Sequence, residues 1–236
     1  MTIIVTIPTA TNDLGYYAGL QLAIANWLSR DGDANLLPKI PDFISLCESR
    51  IAYGVAGQNP SVPLRIRAME TMPNPQLVTV AGTATVALPA GYLGMRKLQV
   101  IGSPNYSLSY ITPTQMDAVY NDDSRQGQPV AYTIEGENIR LGPTPDAVYN
   151  ISCLYYQQFP SIVSQTNSGL TNWLTLNCPG IYLYGALLEA SPYLGDDVRT
   201  SGWYATFNGL INSLQDADSS DRHAAVLTMR SDMSIV

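Results

Sequence analysis

Between Pro179 and Ala190 the chain reads PGIYLYGALLEA, a helical stretch that is apolar nearly all round. Asn177 or Cys178 can cap it, and Pro179 falls in the first turn, where its missing N–H is harmless and its fixed φ is already helical. Ile181, Tyr182, Leu183, Tyr184, Ala186, Leu187 and Leu188 cover so much of the circumference that the helix must be packed on several sides. Whatever else this chain does, it must supply partners for that helix. Pro192 disfavours the α conformation at Ser191, and Gly195, Asp196 and Asp197 offer a turn and a new N-terminus. The next helix, from near Asp196, carries Trp203, Phe207, Leu210, Ile211 and Leu214 at the spacing of one buried face. The two helices are expected to form an antiparallel hairpin.

The partners come from the other end of the sequence. Thr11 or Asn12 is expected to cap a helix that turns Leu14, Tyr17, Leu20, Ile24, Trp27 and Leu28 inward. Pro41 and Asp42 start another, with Phe43, Ile44, Cys47, Ile51 and Val55 on one face, Glu48 and Arg50 pointing away, and 57–60 as its stop. Neither pair can bury its apolar faces alone, so the expectation is a four-helix bundle of two N-terminal and two C-terminal helices. Its core would hold Trp27, Phe43, Ile51, Tyr184, Leu187, Trp203, Phe207 and Leu210.

The middle of the chain changes period. Residues 64–69 and 83–86 alternate as strands do, 95–101 and 106–111 follow, and Thr112-Pro113 opens a short helix toward Tyr120. After a polar loop over 121–128, Tyr132–Ile134 and Asn138–Leu141 flank Glu135-Gly136-Glu137 as a hairpin. The last strand, 147–158, places Tyr149, Ile151, Cys153 and Tyr155 on one side. The fold class is therefore α+β: a helical bundle from 1–60 and 161–217, an inserted antiparallel β-rich sandwich or barrel over 61–160, and an extended tail over 218–236.

Chemistry is sparse in this pattern. Glu189, Asp196 and Asp197 are close in sequence, but a helix cap explains the aspartates, and His223 has no nucleophile motif near it. Asp31-Gly32-Asp33 lacks the later ligands of a calcium loop and reads as a solvated turn. Cys47, Cys153 and Cys178 are odd in number and scattered, with a single histidine in the chain, so they read as small buried hydrophobes rather than a zinc set. Phosphate-loop patterns are absent. No catalytic, cofactor or metal residue is expected. A basic n-region is missing from the N-terminus and no apolar run reaches membrane length, so synthesis and folding in a cytoplasm, away from membrane, are expected.

Composition points to contacts. Charged residues make up 13% of the chain, about half the usual share, while tyrosines are plentiful. Protein interfaces are depleted in charge and enriched in aromatics, so a surface covered by neighbours fits. The net charge of −7, with only two lysines, offers no basic groove for nucleic acid. The tail ends in Ala224-Ala-Val-Leu-Thr-Met-Arg and then Met233, Ile235 and Val236, apolar residues that need cover. The segment MTIIVTIPT at the start alternates and could add as a strand to its own subunit or to a neighbour.

The run NWL, then P-x-x-YLYGALLEA-x-PYL-x-DD, together with ANWLSR, IPDFISLCESRI, YTIEGENIRLGP and a late Met-Arg, resembles the head-to-tail adaptor (connector) proteins of tailed bacteriophages, the short-tailed type in particular. The resemblance spans about Leu20 to Arg230. It implies a structural virion protein of the tail and neck region: a dodecameric ring bound under the portal ring, extending the DNA channel and facing a tail or nozzle protein. DNA would pass without sequence-specific binding, past a wall whose acidic character repels phosphate. C-terminal segments of such adaptors reach into portal clefts, which makes Leu227, Met229, Arg230, Met233, Ile235 and Val236 the portal-contact candidates. Two other classes compete: a β-rich carbohydrate-binding or adhesion module, which would require export, and a cell-wall hydrolase, which would require working carboxylates.

Overall fold

The structure is a computed structural model that describes residues 13–55, 63–121, 125–163, 170–195 and 198–223. Among them run helices α1 (Tyr17–Trp27), α2 (Ile40–Tyr53), α3 (Pro113–Val119), α4 (Trp173–Asn177), α5 (Pro179–Leu194) and α6 (Thr200–His223). The strands are β1 (Glu70–Thr71), β2 (Leu77–Val78), β3 (Thr85–Ala87), β4 (Tyr92–Val100), β5 (Tyr106–Ser107), β6 (Ser109–Tyr110), β7 (Gln126–Gly127), β8 (Ala131–Glu135), β9 (Asn138–Gly142), β10 (Thr144–Pro145) and β11 (Asn150–Gln157). The fold is α+β. The chain divides into a helical unit, 1–68 with 159–236, and a β unit, 69–158.

In the helical unit α5 is the hub, packed against α1, α2, α4 and α6. Its sequence dictates this: Ile181, Tyr182, Leu183, Ala186, Leu187, Leu188 and Ala190 are all buried, on every side of the helix. Pro179 sits at its start after the Cys178 N-cap, and the helix runs past Pro192 to end at Gly195, whose φ of +80° suits a residue without Cβ. Gly185, mid-helix, has a different reason. A Cβ there would collide with Cys47 Sγ on α2 and stand 3.0 Å from the Phe207 ring on α6, so glycine lets both helices approach α5 closely.

Phe43, Ile51, Leu187, Trp203 and Phe207 are buried, and Tyr184 and Leu210 are half-buried. Trp27 corrects the expected core list: it is 42% exposed. The buried stripe of α1 runs through Tyr17, Leu20, Ile24 and Leu28, which leaves Trp27 at its flank. There its ring meets Tyr184 edge-on at 5.5 Å, while Arg199 donates to its carbonyl. Val55 also falls outside its expected helix, because Gly54 adopts φ +72° and ends α2.

Residues 64–69 are not a strand. Leu64 and Ile66 are buried, but their chain lies along the helices: the Leu64 N–H donates to Ile51 O, Arg65 to Ala52 O and the Arg67 N–H to Asp218 Oδ1. Alternation signalled half-burial, and helices rather than a sheet satisfy it. The unit boundary consequently falls at 68/69 instead of 60/61. The tail boundary moves too, since α6 continues through 218–223. Asp218 explains the extension, accepting from Arg222 one turn on at 2.6 Å as well as from Arg67. The short helix α4, not expected from the sequence, is closed by a reciprocal cap between Asn172 and Thr175.

The β unit encloses one core between two sheets. One has the order β1-β11-β4-β5, with β2 also on β11; the other runs β3-β9-β8-β6. Leu98, Val100, Ile151, Cys153 and Tyr155 from the first meet Tyr132, Ile139 and Leu141 from the second. The hairpin β8–β9 turns at Gly136 with φ +61°. The main ladders are antiparallel, but β6 pairs with β8, and β7 with β10, in parallel, so the unit is mixed rather than purely antiparallel. Parallel pairing requires a crossover, and α3, with its Thr112–Gln115 capping box, supplies it between β6 and β8. The expected single strand over 106–111 is split for a related reason. At buried Leu108 the chain leaves the first sheet for the second.

Candidate functional site

Glu189, the carboxylate weighed for catalysis, faces Arg50 across the α2–α5 contact. The Arg50 Nε–H donates to Glu189 Oε1 at 2.6 Å, and each side chain is 17% exposed. This pair forms one wall of a cleft of about 460 Å³ that also includes Ser191, Thr200 and Tyr204. Ser191 Oγ shares a 2.6 Å hydrogen bond with Thr200 Oγ1. The geometry binds helices to one another. Asp196 and Asp197 lie outside the described residues, and His223 closes α6.

Glu48 was expected to point away from the core, and it does not. Its carboxylate accepts from Ser161 Oγ at 2.7 Å and from the Ile162 N–H at 2.9 Å, and Tyr182 also hydrogen-bonds to it. Burial pushes the Glu48 carboxyl above the usual range, although these hydrogen bonds pull the other way. Burial likewise raises the Tyr182 phenol strongly, helped by the Glu48 charge. Asn172 completes the cluster, donating to Tyr182 Oη at 2.8 Å and to Pro160 O at 2.9 Å. Together Glu48, Tyr182 and Asn172 hold the segment that re-enters the helical unit after β11. The only sequence signal for it was a glutamate one residue from a buried cysteine, on the edge of an apolar face.

The cysteines are free thiols. Cys47 and Cys153 are buried and Cys178 partly so. Desolvation pushes Cys153 up to about 11 and Cys47 higher still, which leaves both inert as nucleophiles at neutral pH. No group of His, Cys, Asp and Glu among the described residues could hold a metal ion. Asp33 makes a solvated turn, accepting from the N–H groups of Asn35 and Leu36, which with Arg30 keeps its carboxyl below the usual range.

Surfaces are more informative than clefts. Next to α6 a groove of about 350 Å³ is lined by Ile66, Arg67, Trp173, Leu214, Asp218 and Asp221. In the β unit, Val78 stands across from Asn150, Ile101 bonds to the same Asn150, and Val80 and Val148 follow on. All four apolar residues are exposed, Val148 by 69%. Leu46 and Tyr53, seven residues apart on α2, are exposed as well. The portal-contact candidates Leu227, Met229, Arg230, Met233, Ile235 and Val236, like the N-terminal strand candidate, lie outside the described residues.

Compared with known protein families, residues 16–230 match the family model described as SU10 adaptor protein. The chain belongs to the SU10 adaptor protein family. That match spans α1 to α6 and the whole β unit, so the adaptor family covers both units of the fold. It makes the chain a bacteriophage head-tail adaptor, a structural protein of the virion neck. No curated protein matches the adaptor chain. None of the described helices is long and apolar enough to cross a membrane.

Proposed function

We propose that this adaptor forms a dodecameric ring between the portal ring and the tail or nozzle protein of its phage, extends the DNA channel, and docks to the portal through its C-terminal tail. The family match over residues 16–230 carries the reading. In it, α1, α2, α5 and α6 are the four-helix connector-type bundle, the β unit is the insertion, and the protein is not an enzyme. The low charge content and the exposed valines of the β unit support a surface made for neighbours. The net charge of −7 suits a wall past which DNA slides without sequence-specific binding. Ring symmetry repeats each tail contact, so individually weak insertions sum to a stable joint. Leu227, Met229 and Arg230 are the central contacts, with Met233, Ile235 and Val236 beyond them.

Native mass spectrometry of the purified chain with portal rings of its phage tests this directly. The expected product carries one adaptor per portal subunit. Absence of any complex, with both proteins folded, refutes the portal assignment.

A further inference from the structure

We propose that the β units of successive copies of this chain pack face to opposite face. The outer face of the first sheet, with Arg96 and Lys97, meets the outer face of the second sheet and α3 of the next copy, with Asp117, Glu135 and Glu137. The inference rests on the ring reading and adds which surfaces join neighbours within it.

Alternation assigns the first face. Leu98, Val100, Ile151 and Cys153 point into the core, so Lys97, Gln99, Ile101, Asn150 and Ser152 point out. Val78 stands across from Asn150, and Val80 and Val148 follow on the same side at two-residue steps. These three valines are 48%, 60% and 69% exposed and make one end of the face apolar. A bulge makes the other end cationic. Leu154 pairs with Lys97 and Tyr155 with Met95, which leaves Arg96 as the extra residue of β4. Bulges re-aim side chains, and here Arg96 lies over the outward Tyr156 ring at 5.6 Å and donates to Glu70 at 3.1 Å. Two consecutive cations thus share one face. Lys97 is exposed and has no ion-pair partner among the described residues.

The second face has the opposite sign. Tyr132, Ile139 and Leu141 point into the core, so Glu135 and Arg140 point out. Arg140 donates to Glu135 at 3.1 Å and to Asp117 of α3 at 2.6 Å, one guanidinium shared by two carboxylates. Asp117 keeps 67% of its side chain exposed. Glu137, exposed at the β8–β9 turn, has no ion-pair partner among the described residues. On α3, Val119 adds exposed apolar surface.

These signs select the arrangement. A two-fold pairing of first-sheet faces would set one Arg96–Lys97 pair against another, and like charges across an interface are costly. First face against second face sets cations against carboxylates and gives both apolar patches cover. Because the two faces lie on opposite sides of one sandwich, the contact is heterologous, the kind that closes into rings.

The test mixes isotopically light and heavy full-length chain in equal parts, treats it with a zero-length carbodiimide, alone at high concentration and on portal rings, and maps the links by mass spectrometry. The expected product joins Lys97 of one copy to Asp117, Glu135 or Glu137 of another, with one light and one heavy peptide. Lys97→Glu should weaken association about fivefold per contact, the effect of losing one exposed ion pair and gaining a like-charge contact, at an unchanged melting temperature. Links from Lys97 to Glu70 of another copy, links confined to other surfaces, monomer alone in both settings, or undiminished association of Lys97→Glu overturns the proposal. Portal binding is scored separately. One adaptor per portal subunit without the Lys97 link refutes this interface and leaves the portal role intact, whereas the Lys97 link in assemblies that ignore portals supports the interface while refuting the portal role.

Discussion

Glu48 illustrates how a charged residue on an otherwise exposed helix face becomes structural. Burial raises its pKa in the folded state, so the native protein holds that proton more tightly than the unfolded chain. Its stabilising contribution is therefore full below the ordinary glutamate pKa of about 4.3 and is lost as pH rises through the raised folded value. Denaturation curves between pH 4 and 7 should show wild type losing stability with rising pH relative to Glu48→Gln, in which this component is absent. An unchanged slope would mean that Glu48 titrates normally. Thr133 presents the opposite case. It is fully buried on β8, and its Oγ1 has no hydrogen-bond partner among the described residues. Thr133→Val removes an unsatisfied hydroxyl at nearly constant shape and should raise the unfolding free energy by about 1 kcal/mol in urea. Neither residue stood out in the sequence, because a polar partner supplied from more than a hundred positions away, or the lack of one, leaves no local pattern.

Among the elements, α5 was the most legible, since a helix apolar on all sides admits only a central position. Period located α6, and together with the Pro41-Asp42 start and the Glu135-Gly136-Glu137 turn it located α2 and the β8–β9 hairpin. It misread residues 64–69, where alternation reports half-burial without saying what covers the buried half. It missed α4, whose Asn172–Thr175 cap is too short a signal. The close approach at Gly185 was equally invisible, because a helical glycine reads as weak propensity until its neighbours are known. Gly185→Ala should destabilise by about 2 kcal/mol through overpacking against Cys47 and Phe207. Adding Cys47→Ala should restore much of that loss in thermal melts, since the collision with Sγ is the severe one. The Arg50–Glu189 pair gives a further expectation for the α2–α5 contact. Glu189→Ala leaves Arg50 without its short charge-assisted bond and should cost about 2 kcal/mol. A folded, equally stable Glu189→Ala protein would show that α2 and α5 need only their apolar contacts.

For the whole molecule, the family match shows a phage adaptor, and the tail prediction follows from where α6 ends. Removing residues 224–236 keeps the Arg67–Asp218–Arg222 cluster intact, so the shortened chain should retain its circular dichroism spectrum and melting temperature while losing portal association. A cut at 217 should also reduce stability, by removing Asp218. Only the α+β class, the order of helices and strands and the adaptor resemblance were legible at this scale. The boundary at 68/69 depends on which unit claims Leu64 and Ile66, and no local pattern decides that. The β unit is one continuous segment, whereas the helical unit is assembled from both ends of the chain. During translation the β unit can therefore close as soon as Gln158 has left the ribosome, but α1 and α2 must wait, apolar faces bare, until α5 emerges. Ribosome stalling or a nonsense codon before Pro179 would release a chain with a finished β lobe and an uncovered helical pair, the kind of bare apolar surface that makes an incomplete chain prone to aggregate.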